Sequence, residues 1–135
     1  RRRAHLYFVP KLRWERVMSV LAKHIAILTC LDACGICTGA SCLRAWNERS
    51  GGFAPYAGKD VSLDAFFHCD GCGSDPETDS GMLEKLDRLQ AIGVSSVHVG
   101  ICAVKEREAM TLCPSIQKIA DLLSERGISV LLGTH

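Results

Sequence analysis

The chain has 135 residues, which is the usual size of a single domain. Its composition, 47% hydrophobic and 23% charged, is that of a globular protein able to bury a core. Residues 1–17 hold six basic groups and one acid, whereas residues 18–135 hold ten basic groups and fourteen acids. This mildly acidic body argues against nucleic acid as the main partner. No stretch approaches the ~20 apolar residues of a membrane span, which excludes that class as well.

The first seventeen residues predict a separate N-terminal extension. Pro10, Lys11, Arg13 and Glu15 interrupt any apolar run, so the segment does not fit a signal peptide. Met18 resembles a natural start just ahead of the first strong pattern. We therefore expect residues 1–17 to be dispensable and residues 18–135 to form the domain, with a short added helix as the alternative.

From residue 24 onward, segments typical of strands alternate with segments typical of helices. In chain order we predict strand 24–29, helix 41–49, strand 61–68, helix 80–92, strand 96–101, helix 114–126 and strand 129–132. One or two extra helical turns are expected within 105–112.

The helix assignments depend on caps and on hydrophobic spacing. Ser41 and Ser80 are the predicted N-caps of the first two helices, and Pro114 stands at the first position of the third. In the first helix, Leu43 and Trp46 are predicted to share the buried face.

Strands that alternate with helices indicate right-handed crossovers and a parallel sheet covered on both faces. The sequence therefore predicts an α/β fold: a small three-layer sandwich with a mostly parallel four-stranded sheet, flavodoxin-like or Rossmann-like. The expected strand order is 2-1-3-4.

The eight cysteines are the most informative feature of the composition. Without an export signal, the expected compartment is the cytoplasm, where clustered cysteines are more often metal or redox sites than disulfides. A disulfide framework stays open as an alternative, because the count is even.

The cysteines follow the predicted strands. Cys30, Cys69 and Cys102 come at strand ends, while Cys42 and Cys113 fall at the starts of helices. The carboxyl ends of parallel strands meet at one edge of a sheet, so we expect all eight cysteines to converge there.

Two C-x-x-C pairs strengthen this interpretation. They are Cys34–Cys37 and Cys69–Cys72, and glycine lies inside each pair. Thiolates bind soft metals, and helix N-termini favour the thiolate form. Such pairs suit tetrahedral zinc or an iron–sulfur cluster.

The chain resembles the CGGC-domain family. The resemblance is carried by the IAILTC strand, the CTGASCLRAW stretch, the CDGC turn, the GIC strand end, Cys113-Pro114 and the final GTH, which together span residues 24–135. It implies a cytoplasmic protein with a cysteine-and-histidine metal site, with zinc as the expected metal. Asp70 departs from the family pattern by replacing a glycine of the signature turn, and Ser115 stands where histidine is common.

The predicted metal ligands are seven of the cysteines and the last residue: Cys30, Cys37, Cys42, Cys69, Cys72, Cys102, Cys113 and His135. Cys34 is interpreted as a spare, and His24 and His98 as structural histidines within strands. The carboxylate of Asp70 is expected beside the site, either as a negative charge or as an oxygen ligand.

Other functions remain open at this level. A thiol–disulfide oxidoreductase could use either C-x-x-C pair, and a module that senses or delivers a metal would need the same residues. A small phosphatase is excluded, because the position six residues before Arg44 is Thr38 instead of cysteine. The sequence leaves enzymatic activity and protein partners undecided.

Overall fold

The structure, a computed structural model, describes residues 23–106 and 108–135. The expectations about residues 1–17 and Met18 therefore lie outside the described residues. The described strands are β1 (Lys23–Thr29), β2 (Val61–His68), β3 (Ser96–Val99), β4 (Val104–Glu106), β5 (Thr111–Leu112) and β6 (Ser129–Leu132). The described helices are α1 (Ala40–Glu48), α2 (Ser80–Ala91) and α3 (Pro114–Glu125). None of these three helices has the length and apolar composition that a membrane crossing requires.

Four of these strands form a parallel sheet in the order β2-β1-β3-β6. This confirms the predicted order 2-1-3-4. The chain moves from β1 outward to β2, and then back across β1 to β3 and β6. Successive strands are therefore added on one side of β1 first and on its other side afterwards, so the strand order reverses between β1 and β3. Ligands of open α/β sheets bind at the carboxyl ends of such a strand pair.

Helices cover both faces of the sheet and make three layers. On one face, Ile25 and Ile27 of β1 pack with α1 and with the 3-10 segment Gly51–Tyr56. On the other face, Ala26 and Leu28 pack with α2 and α3. We call these the α1 face and the α2–α3 face. Successive side chains of a strand point to opposite faces, so the uninterrupted apolar run of β1 fits a strand buried on both sides.

The prediction for residues 105–112 is wrong. Strands β4 and β5 pair antiparallel here, in place of the expected helical turns. The Cys113 amide donates to the Ala103 carbonyl at 2.8 Å, which extends this pairing beyond β5. Strand β3 also stops at Val99, because residues 101–103 turn into a 3-10 segment ahead of the hairpin.

Two details of the helices differ from the prediction. Helix α2 is capped by Asp79, whose side chain accepts a hydrogen bond from the Met82 amide at 3.0 Å, so Ser80 is the first helical residue. Helix α1 begins after Gly39, which has a positive φ of 78°, so Ser41 lies inside the helix. On α1 the buried side chains are Cys42 and Ala45, whereas Leu43 is exposed. Because the helix starts at Ala40, directly after Gly39, Cys42 and Ala45 face the sheet and Leu43 does not.

Strand β2 carries a bulge. Ile25 pairs with Leu63 but Ala26 pairs with Ala65, so Asp64 is the extra residue of the edge strand. Its carboxylate lies 2.6 Å from Nδ1 of His24 on β1. The interpretation of His24 as structural fits this contact.

His98 lies on β3 and is 2% exposed. Its Nδ1 donates to the Gly133 carbonyl at 3.1 Å, so Nε2 of the neutral ring accepts from the Tyr56 hydroxyl at 2.7 Å. Burial lowers the pKa of His98, although the bond to Gly133 opposes this effect. His98 is therefore a satisfied, neutral core histidine, as predicted.

This burial predicts a loss of stability in mild acid. Below roughly pH 6.5 the unfolded chain binds a proton at His98 that the folded chain does not bind, so the free energy of unfolding falls as pH falls. His98 can change the free energy of unfolding by at most about 1.4 kcal/mol per pH unit.

Urea unfolding of the reduced, metal-free protein at pH 7.5 and 5.0 measures this dependence on pH. His98→Gln should be less stable at pH 7.5 but should flatten the dependence on pH. The control Tyr56→Phe keeps the buried imidazole and should still lose stability as the pH falls. An undiminished slope in His98→Gln would contradict this account.

Candidate thiolate site

The carboxyl ends of the parallel strands bring three cysteines to the same edge of the sheet. Cys30 follows β1 directly, Cys69 follows β2 directly, and Cys102 lies in the 3-10 segment just after β3. We call this region the carboxyl edge. β1 lies between β2 and β3 in the sheet, so Cys30 stands between the other two cysteines.

Two consecutive backbone amides at the end of β1 donate to cysteine sulfurs. The Cys30 amide donates to Sγ of Cys102, and the Leu31 amide donates to Sγ of Cys69, each at 3.3 Å. Adjacent backbone nitrogens are less than about 3.8 Å apart, so the two sulfurs lie within about 10 Å of each other. Each of these two sulfurs therefore has a backbone N–H donor at the end of the strand that lies between them.

Thr29, the last residue of β1, lies close to the thiol of Cys34. Its hydroxyl lies 3.5 Å from Sγ of Cys34. A Cβ atom on Gly100 would lie 3.4 Å from Sγ of Cys102 and 3.6 Å from Cγ2 of Thr29. A side chain at residue 100 would therefore fill the space beside Sγ of Cys102 and the methyl group of Thr29.

Cys42 is buried in the first turn of α1, with 6% exposure. Its Sγ lies 3.1 Å from the hydroxyl of Thr134, which is 1% exposed. The Gly52 amide donates to the Thr134 carbonyl at 3.0 Å and holds residues 133–135 against the start of the 3-10 segment. His135 follows this anchored pair and is itself exposed.

The other cysteines differ in their surroundings. Cys69 is 5% exposed and belongs to the core of the α2–α3 face, against which Cys113 also packs. Cys113 is the N-cap of α3, as predicted. Cys37 and Cys72 are exposed, and Sγ of Cys37 accepts a hydrogen bond from the nearby Gly39 amide at 3.3 Å. All eight cysteines lie among the described residues, and no disulfide joins them.

Partial burial raises the pKa of the Cys102 thiol. The hydrogen bond from the Cys30 amide lowers it, but the nearby thiols of Cys30, Cys42 and Cys34 raise it further when they are charged. Cys102 thus lies in electrostatic reach of three other cysteines. Any cation bound here must displace the Cys102 proton, and it would relieve the repulsion among the thiolates.

Asp70 is held by helix α2. Its carboxylate accepts from Nζ of Lys85 at 2.7 Å, and the same ammonium donates to the His68 carbonyl at 2.8 Å. Hydrogen bonds with the Asp79 carboxyl group and with Lys85 hold the pKa of Asp70 below its usual value. The expected negative charge beside the signature turn is present and is paired with a cation. These two partners already engage the Asp70 carboxylate, which does not favour a role as an oxygen ligand.

The chemistry of this edge suits a soft metal, but the donors are not in ligand positions. Within the described residues, no three side chains of His, Cys, Asp or Glu are arranged to hold an ion. Cys72 and Cys102 are exposed and Cys30 is half-buried, so rotation of these side chains is open to a binding event. The donor set fits a thiophilic ion by its chemistry and by its common edge.

The fold and this edge define a cysteine-rich α/β protein with a parallel sheet. The family model of the CGGC domain matches residues 24–135, and the chain belongs to that family, which confirms the resemblance. The chain is also 34% identical over 119 residues to the uncharacterized protein MJ0582 of Methanocaldococcus jannaschii, covering 82% of this chain and 85% of that protein. No solved structure matches the chain.

The sequence analysis missed the polar groups that surround the sulfurs. The Thr29 and Thr134 hydroxyls contact Cys34 and Cys42, and the Leu31 amide donates to Cys69. Threonine next to cysteine, as in Thr29-Cys30, carries no specific signal. Thr134 is far from Cys42 along the chain, so their contact follows from the tertiary fold alone.

A substitution at Gly52 tests whether the contact of residues 133–135 with the 3-10 segment stabilises the fold. A Cβ at this position would collide with the Gly133 carbonyl, so Gly52→Ala must push residues 133–135 away from Cys42. Thermal unfolding should show a loss of about 1–3 kcal/mol, which is typical of overpacking. A Cβ added at Gly35 would meet no atom within 4 Å, so the control Gly35→Ala should change stability by less than about 0.5 kcal/mol. Equal stability of the two variants would show that the tail is not held as described.

Proposed function

We propose that this protein binds a thiophilic metal ion through cysteine thiolates at the carboxyl edge of its sheet, with zinc as the expected metal and an iron–sulfur cluster as the alternative. The observation that carries the proposal is the pair of consecutive amides at Cys30 and Leu31, which donate to the sulfurs of Cys102 and Cys69. These two bonds hold soft donors from two strands at the end of the strand between them.

The donor chemistry supports zinc over harder ions. Thiolate sulfur selects zinc, copper(I) and iron–sulfur clusters, whereas magnesium and calcium prefer oxygen ligands. Asp70 is engaged by Lys85, so the carboxylate of the signature turn already has a partner. The bound ion would supply positive charge that stabilises neighbouring thiolates.

The ligand candidates are the seven cysteines and the histidine predicted from the sequence: Cys30, Cys37, Cys42, Cys69, Cys72, Cys102, Cys113 and His135. The structural contacts that support a ligand role differ among these residues. Cys69 and Cys102 have backbone amides as partners, while Cys42 reaches the tail that precedes His135.

Metal analysis of anaerobically purified protein tests this function. We expect a colourless protein with at least one zinc per chain, whereas a brown protein with broad visible absorption would indicate the iron–sulfur alternative. A chelator should remove the metal and lower the thermal midpoint, because the binding free energy adds to folding stability. Ile36 is 95% exposed between Cys34 and Cys37, so Ile36→Ser is a matched loop control that should keep its metal. Protein that neither carries metal nor binds added zinc or iron would refute the proposal.

The Cys69–Cys72 turn separates metal binding from redox chemistry. If both residues are ligands, Cys69→Ser and Cys72→Ser should each reduce metal content and stability. In a redox pair one thiol attacks and the other resolves, so one residue alone would react quickly with an alkylating agent near neutral pH. We expect similar loss of metal in both variants, measured by elemental analysis, and protection of both thiols from alkylation in the loaded parent. A metal-free parent with one rapidly alkylated thiol would instead identify an oxidoreductase.

A further inference from the structure

We propose that Lys85 is a positioning residue of the thiolate site: its ammonium group holds both chain neighbours of Cys69 and thereby fixes the Cys69 sulfur as a stationary donor for the metal ion. This inference rests on the proposed function and names the residue that orders one of its ligands. Lys85 lies on helix α2, whereas Cys69 follows strand β2, so the connection is made by the tertiary fold.

One ammonium group contacts the residue before Cys69 and the residue after it. Nζ of Lys85 donates to the His68 carbonyl at 2.8 Å and to the Asp70 carboxylate at 2.7 Å. A single cation therefore fixes the direction in which the main chain enters Cys69 and the direction in which it leaves. Loss of the ammonium would release both sides of this residue at once.

The ion pair between Lys85 and Asp70 is shielded from water. Their side chains are 31% and 26% exposed, whereas those of the Arg88–Glu84 pair on the same helix are each 71% exposed. A Cβ atom added to Gly81 would lie 3.2 Å from Oδ2 of Asp70, so the carboxylate lies against the first turn of α2. Negative charge is favoured at this end of a helix, which holds the turn after β2 more firmly.

The polar groups of Cys69 are themselves all engaged. Its amide donates to the Thr29 carbonyl at 3.1 Å, and its carbonyl accepts from Nδ1 of His68 at 3.0 Å. Its Sγ accepts from the Leu31 amide at 3.3 Å, and the residue is 5% exposed. Cys72, by contrast, is exposed. Cys69 is therefore the fixed sulfur of the C-x-x-C turn, and Cys72 is the sulfur that is free to move when an ion arrives.

A donor that is already fixed loses little conformational freedom when it binds an ion. Groups that orient a ligand from behind typically change metal affinity by about 10–100-fold when they are removed. Lys85 contacts the neighbours of the ligand instead of the ligand itself, so we expect an effect of about tenfold, at the low end of this range.

The reactivity of Cys69 in the reduced, metal-free, full-length protein is the first test. Lys85→Met keeps most of the apolar side chain but removes the ammonium. Alkylation of Cys69, followed by mass spectrometry, should then be faster by about tenfold or more, as expected for the loss of charge-assisted hydrogen bonds. Cys42 is 6% exposed and is the matched internal control, because a general loosening of the fold would expose both buried thiols.

The affinity for zinc, measured by competition with a chromophoric chelator, is the second test. Lys85→Met should bind zinc about tenfold more weakly. Lys85→Arg can still donate to both acceptors and should regain most of the affinity. Asp70→Ala leaves the bond to the His68 carbonyl and should give a smaller change in the same direction. Arg88→Met removes an exposed cation from the same helix and should match the parent in both tests.

Faster alkylation of Cys69 alone, together with weaker zinc binding, supports the inference. Parent-like zinc affinity in Lys85→Met, or equal acceleration of Cys42 and Cys69, overturns the positioning role but leaves the proposed metal binding intact. A folded parent that binds no zinc overturns the proposed function and the metal role of Lys85, whereas the alkylation rates still decide whether Lys85 holds Cys69. If Lys85→Met does not fold, the same two measurements on Asp70→Ala decide.

Discussion

The direction of the strands is the constraint on which the site depends. In a parallel sheet every strand finishes at the same edge, and here the residue after β1, the residue after β2 and the segment after β3 all bring cysteine to it. Because β1 lies between β2 and β3, its terminal amides are within reach of sulfurs on both sides. An antiparallel arrangement of the same segments would have divided these cysteines between opposite edges.

Much of this arrangement could be predicted from the sequence, because it follows from periodicity and chain order. The apolar run of β1 and the spacing of Ile116, Ile119 and Leu123 in α3 are strong local signals, and both elements are found at nearly the predicted residues. Right-handed crossovers limit the strand orders that such a chain can adopt. The position of Cys113 at the start of α3 was likewise predictable from Pro114.

The features that could not be predicted depend on long-range contacts. Residues 104–112 contain too few apolar positions to distinguish a helical turn from a short hairpin, and the bond from Cys113 to Ala103 favours the hairpin. The surroundings of the cysteines on each face also lie outside a local pattern. They depend on the contact of Thr29 with Cys34 and on the path of residues 133–135 back to Cys42.

The bulge at Asp64 has a consequence for how copies of the protein meet. An edge strand offers unpaired backbone groups to another chain, and a bulge that carries a charged residue makes the edge uneven and twists it away from continuous pairing. Strand β2 has both features, since Asp64 interrupts its register and is held by His24. The same strand leads directly to Cys69. The bulge therefore makes β2 a poor template for extending the sheet into a second molecule at the edge that leads to Cys69.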